Sequence, residues 1–221
     1  MRHTLPADIE NTSMTIITRE LADRGVVLPP DTEPIVKRVI HATADFDYAA
    51  QLRFTPEAVE RALAAIRAHA PIVTDTTLAL AGVSKPSLAR FGLEAMCFMA
   101  DPEIAAAAKA QGTTRAHAAM TYAAAQFPGA ILAVGNAPTA LLRIVELMEQ
   151  GFRPGLVIGV PVGFVNVVES KERLWEACNA LEVPAMVAMG RKGGSTVAAA
   201  MLNALLYTAD KTLDPGARGW Q

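Results

Sequence analysis

The sequence predicts an α/β fold, a doubly wound and mainly parallel five-stranded sheet flanked by helices, with a helical segment ahead of it. Three observations carry that prediction. Short apolar runs recur from Pro71 onward: Pro71–Thr74, Glu94–Met99, Ala130–Val134, Leu156–Val160 and Pro184–Met189. Helical patterns lie between several of them, at about 103–110, 114–126, 138–150, 167–180 and 195–208. Most runs end in Gly, Asn, Pro, Thr, Arg, Lys or Ser, the residues of turns and helix starts. Fully apolar strands alternating with amphipathic helices belong to parallel sheets covered on both faces.

The elements follow in order. Pro6 to about Arg24 reads as a helix closed by Gly25. After the Leu28–Asp31 turn, Asp31 or Thr32 caps a second helix, whose apolar Ile35, Val36, Val39 and Ile40 recur at helical spacing and which ends near Asp45. Thr55 and Pro56 open a third as N-cap and first position, running to about His69. His69 then sits near a helix C-terminus, where a cation suits the dipole and the role is structural. Residues 1–208 form one domain on this reading. The tail 209–221, with Pro, two Gly and little apolar periodicity, is expected to be mobile.

Composition narrows the function. Of 221 residues, 52% are hydrophobic and the net charge is −2, enough for a full core and without the basic surplus of a nucleic-acid binder. Aromatic residues at 5% leave few platforms for stacking bases. No apolar run is long enough for a membrane span, and the first residues lack the charged-then-apolar pattern of a secretory signal. Cys97 and Cys178 have neither zinc nor redox spacing and read as buried free thiols of a cytoplasmic protein. No metal-ligand cluster, GxSxG elbow, P-loop or GxGxxG fingerprint occurs, so neither metal nor cofactor is expected.

In a doubly wound sheet, ligands bind outside the carboxyl ends of the strands, where helix N-termini also attract anions. Gly135 and Asn136 stand at one such junction, where Asn136 also suits an N-cap ahead of Pro138. Arg191–Ser195 is the strongest anion signal: two cations, then Gly193 and Gly194 for a tight turn, then Ser195 as a cap. Arg115 and Lys171 carry the unfavoured sign for a helix start, which a nearby anion resolves. Asn166 and Glu169 have the spacing of a capping pair. His117 is read as solvent-facing. His41 lies at the edge of its helix's apolar seam, with Asp45 four residues on, positioned to orient the imidazole and favour its protonated form. The local pattern alone fits an ordinary edge histidine.

Six blocks in order, from about Ile9 to Tyr207, resemble the precorrin-8X methylmutase family and its cobalt-precorrin-8 counterparts. They are VKRVIHATADFD (Val36–Asp47), TDTTL (Thr74–Leu78), GTTR (Gly112–Arg115), GNAPTAL (Gly135–Leu141), GVPVGFVNVVESK (Gly159–Lys171) and Leu202–Leu205 with GRKGGS (Gly190–Ser195) before it. One departure is Asn166-Val167-Val168, where many relatives have small residues. The resemblance implies an isomerase of cobalamin biosynthesis that moves a methyl group within ring C of a corrin precursor. It implies that His41 protonates the ring nitrogen, that the protein is a homodimer, and that the substrate is a macrocycle with many carboxylates. Arg38, Arg115, Lys171, Arg191 and Lys192 would then meet carboxylates. Gly135, Asn136, Ala137, Thr139, Gly163 and Phe164 would line the macrocycle, and Ser13, Ser170, Gly193, Gly194 and Ser195 would complete the binding set. The wording of the His41, Thr74 and Gly190 blocks leans toward the cobalt-containing route. Two other readings use the same residues: a corrinoid carrier without activity, and a nucleotide-dependent α/β enzyme, against which the absent glycine fingerprint argues.

Overall fold

The computed structural model of the chain describes residues 5–218. Two helices come first, α1 (Pro6–Asp23) and α2 (Glu33–Thr43), then a short α3 (Tyr48–Gln51), β1 (Leu52–Phe54) and α4 (Ala58–Arg67). There follow β2 (Ile72–Thr74), α5 (Thr77–Gly82), α6 (Lys85–Phe91), β3 (Ala95–Met96), α7 (Pro102–Ala110), α8 (Arg115–Gln126) and β4 (Ile131–Val134). The chain continues with α9 (Pro138–Glu149), β5 (Leu156–Gly159), α10 (Val167–Ala180), β6 (Ala185–Ala188), α11 (Ser195–Ala209) and a 3-10 turn, Pro215–Arg218.

One sheet holds six strands in the order β1-β6-β5-β4-β2-β3. All five expected strands form and run parallel, in register from Ile72↔Ile131 through Ile131↔Leu156 to Val157↔Ala185. The additional strand is β1, which pairs antiparallel with the outer side of β6 through Leu52↔Ala188. Its three residues carry no periodicity of their own; the pairing comes from the exposed edge of β6. Strand β2 has β3 on one side and β4 on the other, so the chain reverses its direction of travel across the sheet between β2 and β4. Such a reversal opens a crevice at the carboxyl ends.

The period-2 alternation of the strands divides the core in two. Ile72, Ile131, Ala133, Leu156, Ile158 and Met186 point to one face and pack under α1, α2, α4 and α11. Val73, Leu132, Val134, Val157, Ala185 and Val187 point to the other, under α7, α8, α9 and α10. Helix α11 is apolar on nearly every side, because it is wedged between the sheet and α2, α4 and α5.

Several ends differ from the sequence reading. Helix α2 stops at Thr43 because Ala44 turns left-handed (φ 53°), with its N–H on the Ile40 carbonyl. Thr55 is not an N-cap; its Oγ1 accepts the Ala185 N–H at 2.8 Å, and left-handed Glu57 starts α4 instead. Thr32 does start α2, but its hydroxyl donates back to Pro29 rather than capping. Asn166 precedes α10 with φ 57° and makes no side-chain cap, so the expected pairing with Glu169 is absent. Ala137 and Gly194, not Asn136 and Ser195, occupy the N-cap positions of α9 and α11. In the tail, Thr212 donates its N–H to Tyr207, Pro215 is buried, and Arg218 pairs with Glu10. Residues 219–221 lie outside the described residues.

The layered core makes a direct contrast. Leu132, fully buried between sheet and helices, loses about 2–5 kcal/mol of stability on replacement by Ala. Leu78, 65% exposed, loses no more than about 0.5 kcal/mol on the same change. Urea denaturation of the two variants measures both; equal losses would contradict this layering.

Candidate active site

The crevice between β2 and β4 is bridged by the protein itself. Asp75, 1% exposed, follows β2 directly and turns its carboxylate across to the loop after β4. Its Oδ1 accepts the Gly135 N–H at 2.7 Å, and its Oδ2 accepts those of Asn136 and Ala137 at 2.8 and 2.7 Å. These are the unpaired amides ahead of α9, the place where an anion is expected to bind. The fold therefore fills that anion site with its own side chain. Burial raises the Asp75 pKa above the ordinary range, against the opposite pull of the three amide bonds. The sequence reading missed Asp75. Its signal was a carboxylate placed immediately after a wholly apolar strand.

The loop after β6 is fixed by similar means. A Cβ on Gly135 would lie 2.7 Å from the Ser195 Cα, and one on Gly193 would lie 2.1 Å from the Val160 carbonyl oxygen. Both glycines are thus required for close passage of one backbone over another. The Ser195 hydroxyl bonds the Thr76 hydroxyl at 2.8 Å, tying this loop to the one after β2. Lys171, expected to face a carboxylate, is instead fully buried. Its ammonium donates to the Gly190 and Lys192 carbonyls at 2.8 Å each, and burial lowers its pKa to about 8. Lys192, also expected to meet a carboxylate of a ligand, binds Asp45 and Asp47 at 2.6 Å each. These contacts raise the Lys192 pKa and lower that of Asp45.

That double clamp ties the turn after α2 to the loop after β6. Asp45 does not orient the imidazole: α2 has already ended, and the carboxylate is committed to Lys192. No hydrogen bond to the His41 ring forms among the described residues. Its pKa is lowered, first by desolvation of the covered part of the ring, then by the Arg38 guanidinium; Glu10 partly offsets this and Arg218 adds to it. Arg38 lies one turn back along α2 and donates to Glu10 at 2.6 Å. Beside it, Arg38, Ala42, Leu78, Gly82, Ala199 and Asn203 line a groove of about 390 Å³ along α11.

The remaining expected residues divide into exposed and internally engaged groups. Arg191 is exposed, with its guanidinium 5.5 Å from the ring centroid of Phe164, itself 83% exposed; Gly163 donates its N–H to the Arg191 carbonyl. Arg115 is exposed at the start of α8, where the Thr114 and Thr139 hydroxyls bond each other at 2.8 Å. Ser13 and Ser170 spend their hydroxyls on carbonyls of their own helices, Ile9 and Val167. Gly194 donates its N–H to the Val160 carbonyl. His117 is half-buried, 3.9 Å from Glu146, rather than solvent-facing. His69 is exposed with its Nδ1 at 2.6 Å from the Phe91 carbonyl, a structural contact. Among the described residues no group of three or more His, Cys, Asp or Glu side chains is placed to hold a metal ion, and no helix is long and apolar enough to cross a membrane. Cys97 and Cys178 are free thiols, the latter pushed up to about 12 by burial. A second hollow of about 360 Å³, lined by Thr55, Arg61, Cys178 and Glu182, opens at the opposite end of the strands, where Arg61 already donates to the Glu182 carbonyl.

Comparison with known proteins gives a consistent result. A family model described as precorrin-8X methylmutase matches residues 8–208. The cobalt-precorrin-8 methylmutase of Salmonella typhimurium is 47% identical over 206 residues, covering 91% of this chain and 95% of the relative. The precorrin-8X methylmutase of a Sinorhizobium species is 39% identical over 169 residues, covering 76% and 79%. The crystal structure of a precorrin-8X methylmutase from Thermus thermophilus superposes with a TM-score of 0.83 at 45% identity, covering 92% of this chain and 98% of that one.

The Asp75 bridge sets an expected outcome. Asp75→Asn retains one acceptor oxygen in place of two and leaves at least one of the three amides unpaired. The cost is about 1–3 kcal/mol of stability, with faster hydrogen exchange at residues 135–137. Denaturation and amide exchange measure it; unchanged protection at those three amides would remove Asp75 from this role.

Proposed function

The chain belongs to the precorrin-8X methylmutase family, an isomerase family of cobalamin biosynthesis, and we propose that its site moves a methyl group within ring C of a precorrin-8 macrocycle, with His41 as the proton donor. The observation that carries this reading is the setting of His41: an exposed histidine without a ring hydrogen bond among the described residues, whose helix neighbours Arg38 and Ala42 line an open groove and whose helix is followed by a turn clamped through Asp45 and Asp47 to Lys192.

The chemistry suits what the site contains. The methyl leaves one ring carbon for its neighbour in a shift formally of the 1,5-sigmatropic kind. One carbon–carbon bond breaks, another forms, and the π electrons redistribute with no net oxidation. Such a step needs a held conformation and polarisation of the π system, which protonation of the ring nitrogen supplies. No nucleophile is required. Arg191 and Arg115 are the exposed cations for the macrocycle's carboxylates, Arg38 is a largely covered cation one turn from His41 at the groove, and Phe164 offers an apolar face. The product would be hydrogenobyrinate, or cobyrinate if cobalt is present. We favour the cobalt-containing substrate. The Salmonella and Priestia megaterium relatives named for it, at 47% and 41% identity, support that choice, as do the His41, Thr74 and Gly190 blocks. Cobalt here is part of the substrate. The same reading takes the protein as a cytoplasmic homodimer, and Leu78, Phe164 and Val165 are exposed apolar residues that pairing of two copies would cover.

The decisive assay follows turnover of metal-free and cobalt-containing precorrin-8 side by side by visible spectroscopy. Wild type forms the product chromophore faster from the cobalt form. His41→Ala lowers turnover by at least about 10²-fold while still binding product. Turnover retained in that variant would end the assignment of His41.

The pH profile is a second test. A general acid must be protonated, and the His41 pKa is depressed in the free protein, so kcat/KM falls as pH rises through a value below 6.5. Substrate carboxylates near Arg38 and His41 favour imidazolium, so the corresponding limb of kcat lies at higher pH. Coincident limbs in kcat and kcat/KM would refute that coupling.

A further inference from the structure

The segment that follows α11 reaches back to the neighbourhood of His41. Arg218, in the 3-10 turn, and Arg38, in α2, both donate to the same oxygen, Oε1 of Glu10 on α1. Both guanidiniums also lie against the ring of Tyr207 on α11, with centroid distances of 4.3 Å for Arg218 and 5.3 Å for Arg38. Glu10 is 4% exposed, and the Arg218 and Arg38 side chains 4% and 11%. Three elements thus meet at one carboxylate, and a fourth, α11, backs both guanidiniums with the Tyr207 ring. The Glu10 carboxylate is shared by two largely buried guanidiniums rather than paired with one. The residues matched by the family model end at 208, so Arg218 lies beyond them.

We propose that Arg218 is a positioning residue for the His41 site: by sharing Glu10 with Arg38, it stops the carboxylate from drawing Arg38 fully to itself and keeps that guanidinium at the groove, one helical turn from His41, to receive a carboxylate of the substrate. This rests on the functional reading above. The charged groups facing His41 are Arg38 on its own helix, Glu10 from α1 and Arg218 from the tail, with Arg218 among those that lower its pKa. Helices α5 and α11 carry no charged side chain, and the titratable side chain on each of α3 and α11 is a tyrosine, Tyr48 and Tyr207.

The test compares wild type, Arg218→Gln, Arg218→Lys and a chain ended after Ala209. NMR titration of the His41 ring without substrate should show its pKa rising in Arg218→Gln and in the shortened chain, and returning toward wild type in Arg218→Lys. With cobalt-containing precorrin-8, KM should rise about two- to fivefold in Arg218→Gln, the size of a partly exposed charge contact, with kcat within about twofold of wild type. Lysine should restore much of it. An unmoved His41 titration and KM in folded Arg218→Gln would overturn the proposal. So would a fall in kcat alone. If wild type itself does not turn over, the functional reading fails, while the titration still decides whether Arg218 acts on His41. Should Arg218→Gln not fold, Arg218→Met, which keeps an apolar stem against Tyr207 and removes the charge, reports the same two quantities.

Discussion

The structure around the strand ends depends on one buried carboxylate. Asp75 stands where the chain reverses direction across the sheet, and its two oxygens gather three consecutive amides from the neighbouring junction. In many doubly wound folds that crevice receives a ligand's negative charge. Here a side chain takes up the three amides of that crevice and joins its two sides. Gly135, held by that joint, passes under Ser195. Ser195 reaches Thr76, the residue directly after Asp75 in the β2 loop. Gly193 rests on Val160. The loops after β2, β4, β5 and β6 are thereby one connected body.

Two lysines extend this body outward. Lys171 holds the loop after β6 from beneath through two carbonyls, and Lys192 reaches from the top of that loop to the turn after α2. Burial makes the first contact expensive to break, since the ammonium and both carbonyls would be left without partners. The second is exposed and salt-sensitive by comparison. Between them they tie the loop after β6 to the turn that follows the helix of His41. The imidazole itself is left without a hydrogen-bond partner among the described residues.

Much of the fold was legible in the sequence because the parallel strands are wholly apolar and the helices between them are amphipathic. Strands β2, β4, β5 and β6 and helices α8 to α11 could be placed within a residue or two for that reason. What escaped was short or context-made. Strand β1 exists only because β6 offers an edge, and α5 and α6 fill a connection with no sustained period. The family pattern was legible, but the partners of the charges at the strand ends were not. Lys171 beside a helix N-terminus signals an anion or a carbonyl equally, and only burial distinguishes them. Asp45 four residues after His41 implies contact only if the helix continues, and Ala44 ends it. The tail's composition suggests looseness, and it carries no sign that Arg218 pairs with a buried glutamate.

The two borders of the sheet are also its shortest or near-shortest strands, three residues in β1 and two in β3. A strand that short offers too few free backbone groups to recruit a strand from another molecule, and Arg53 on β1 adds a charge to that border. A chain in which half the side chains are hydrophobic is thereby protected from growing into continuous sheet. Any lasting contact between copies must form through helix faces and loops, where side-chain shape and charge choose the partner and the contact can remain finite.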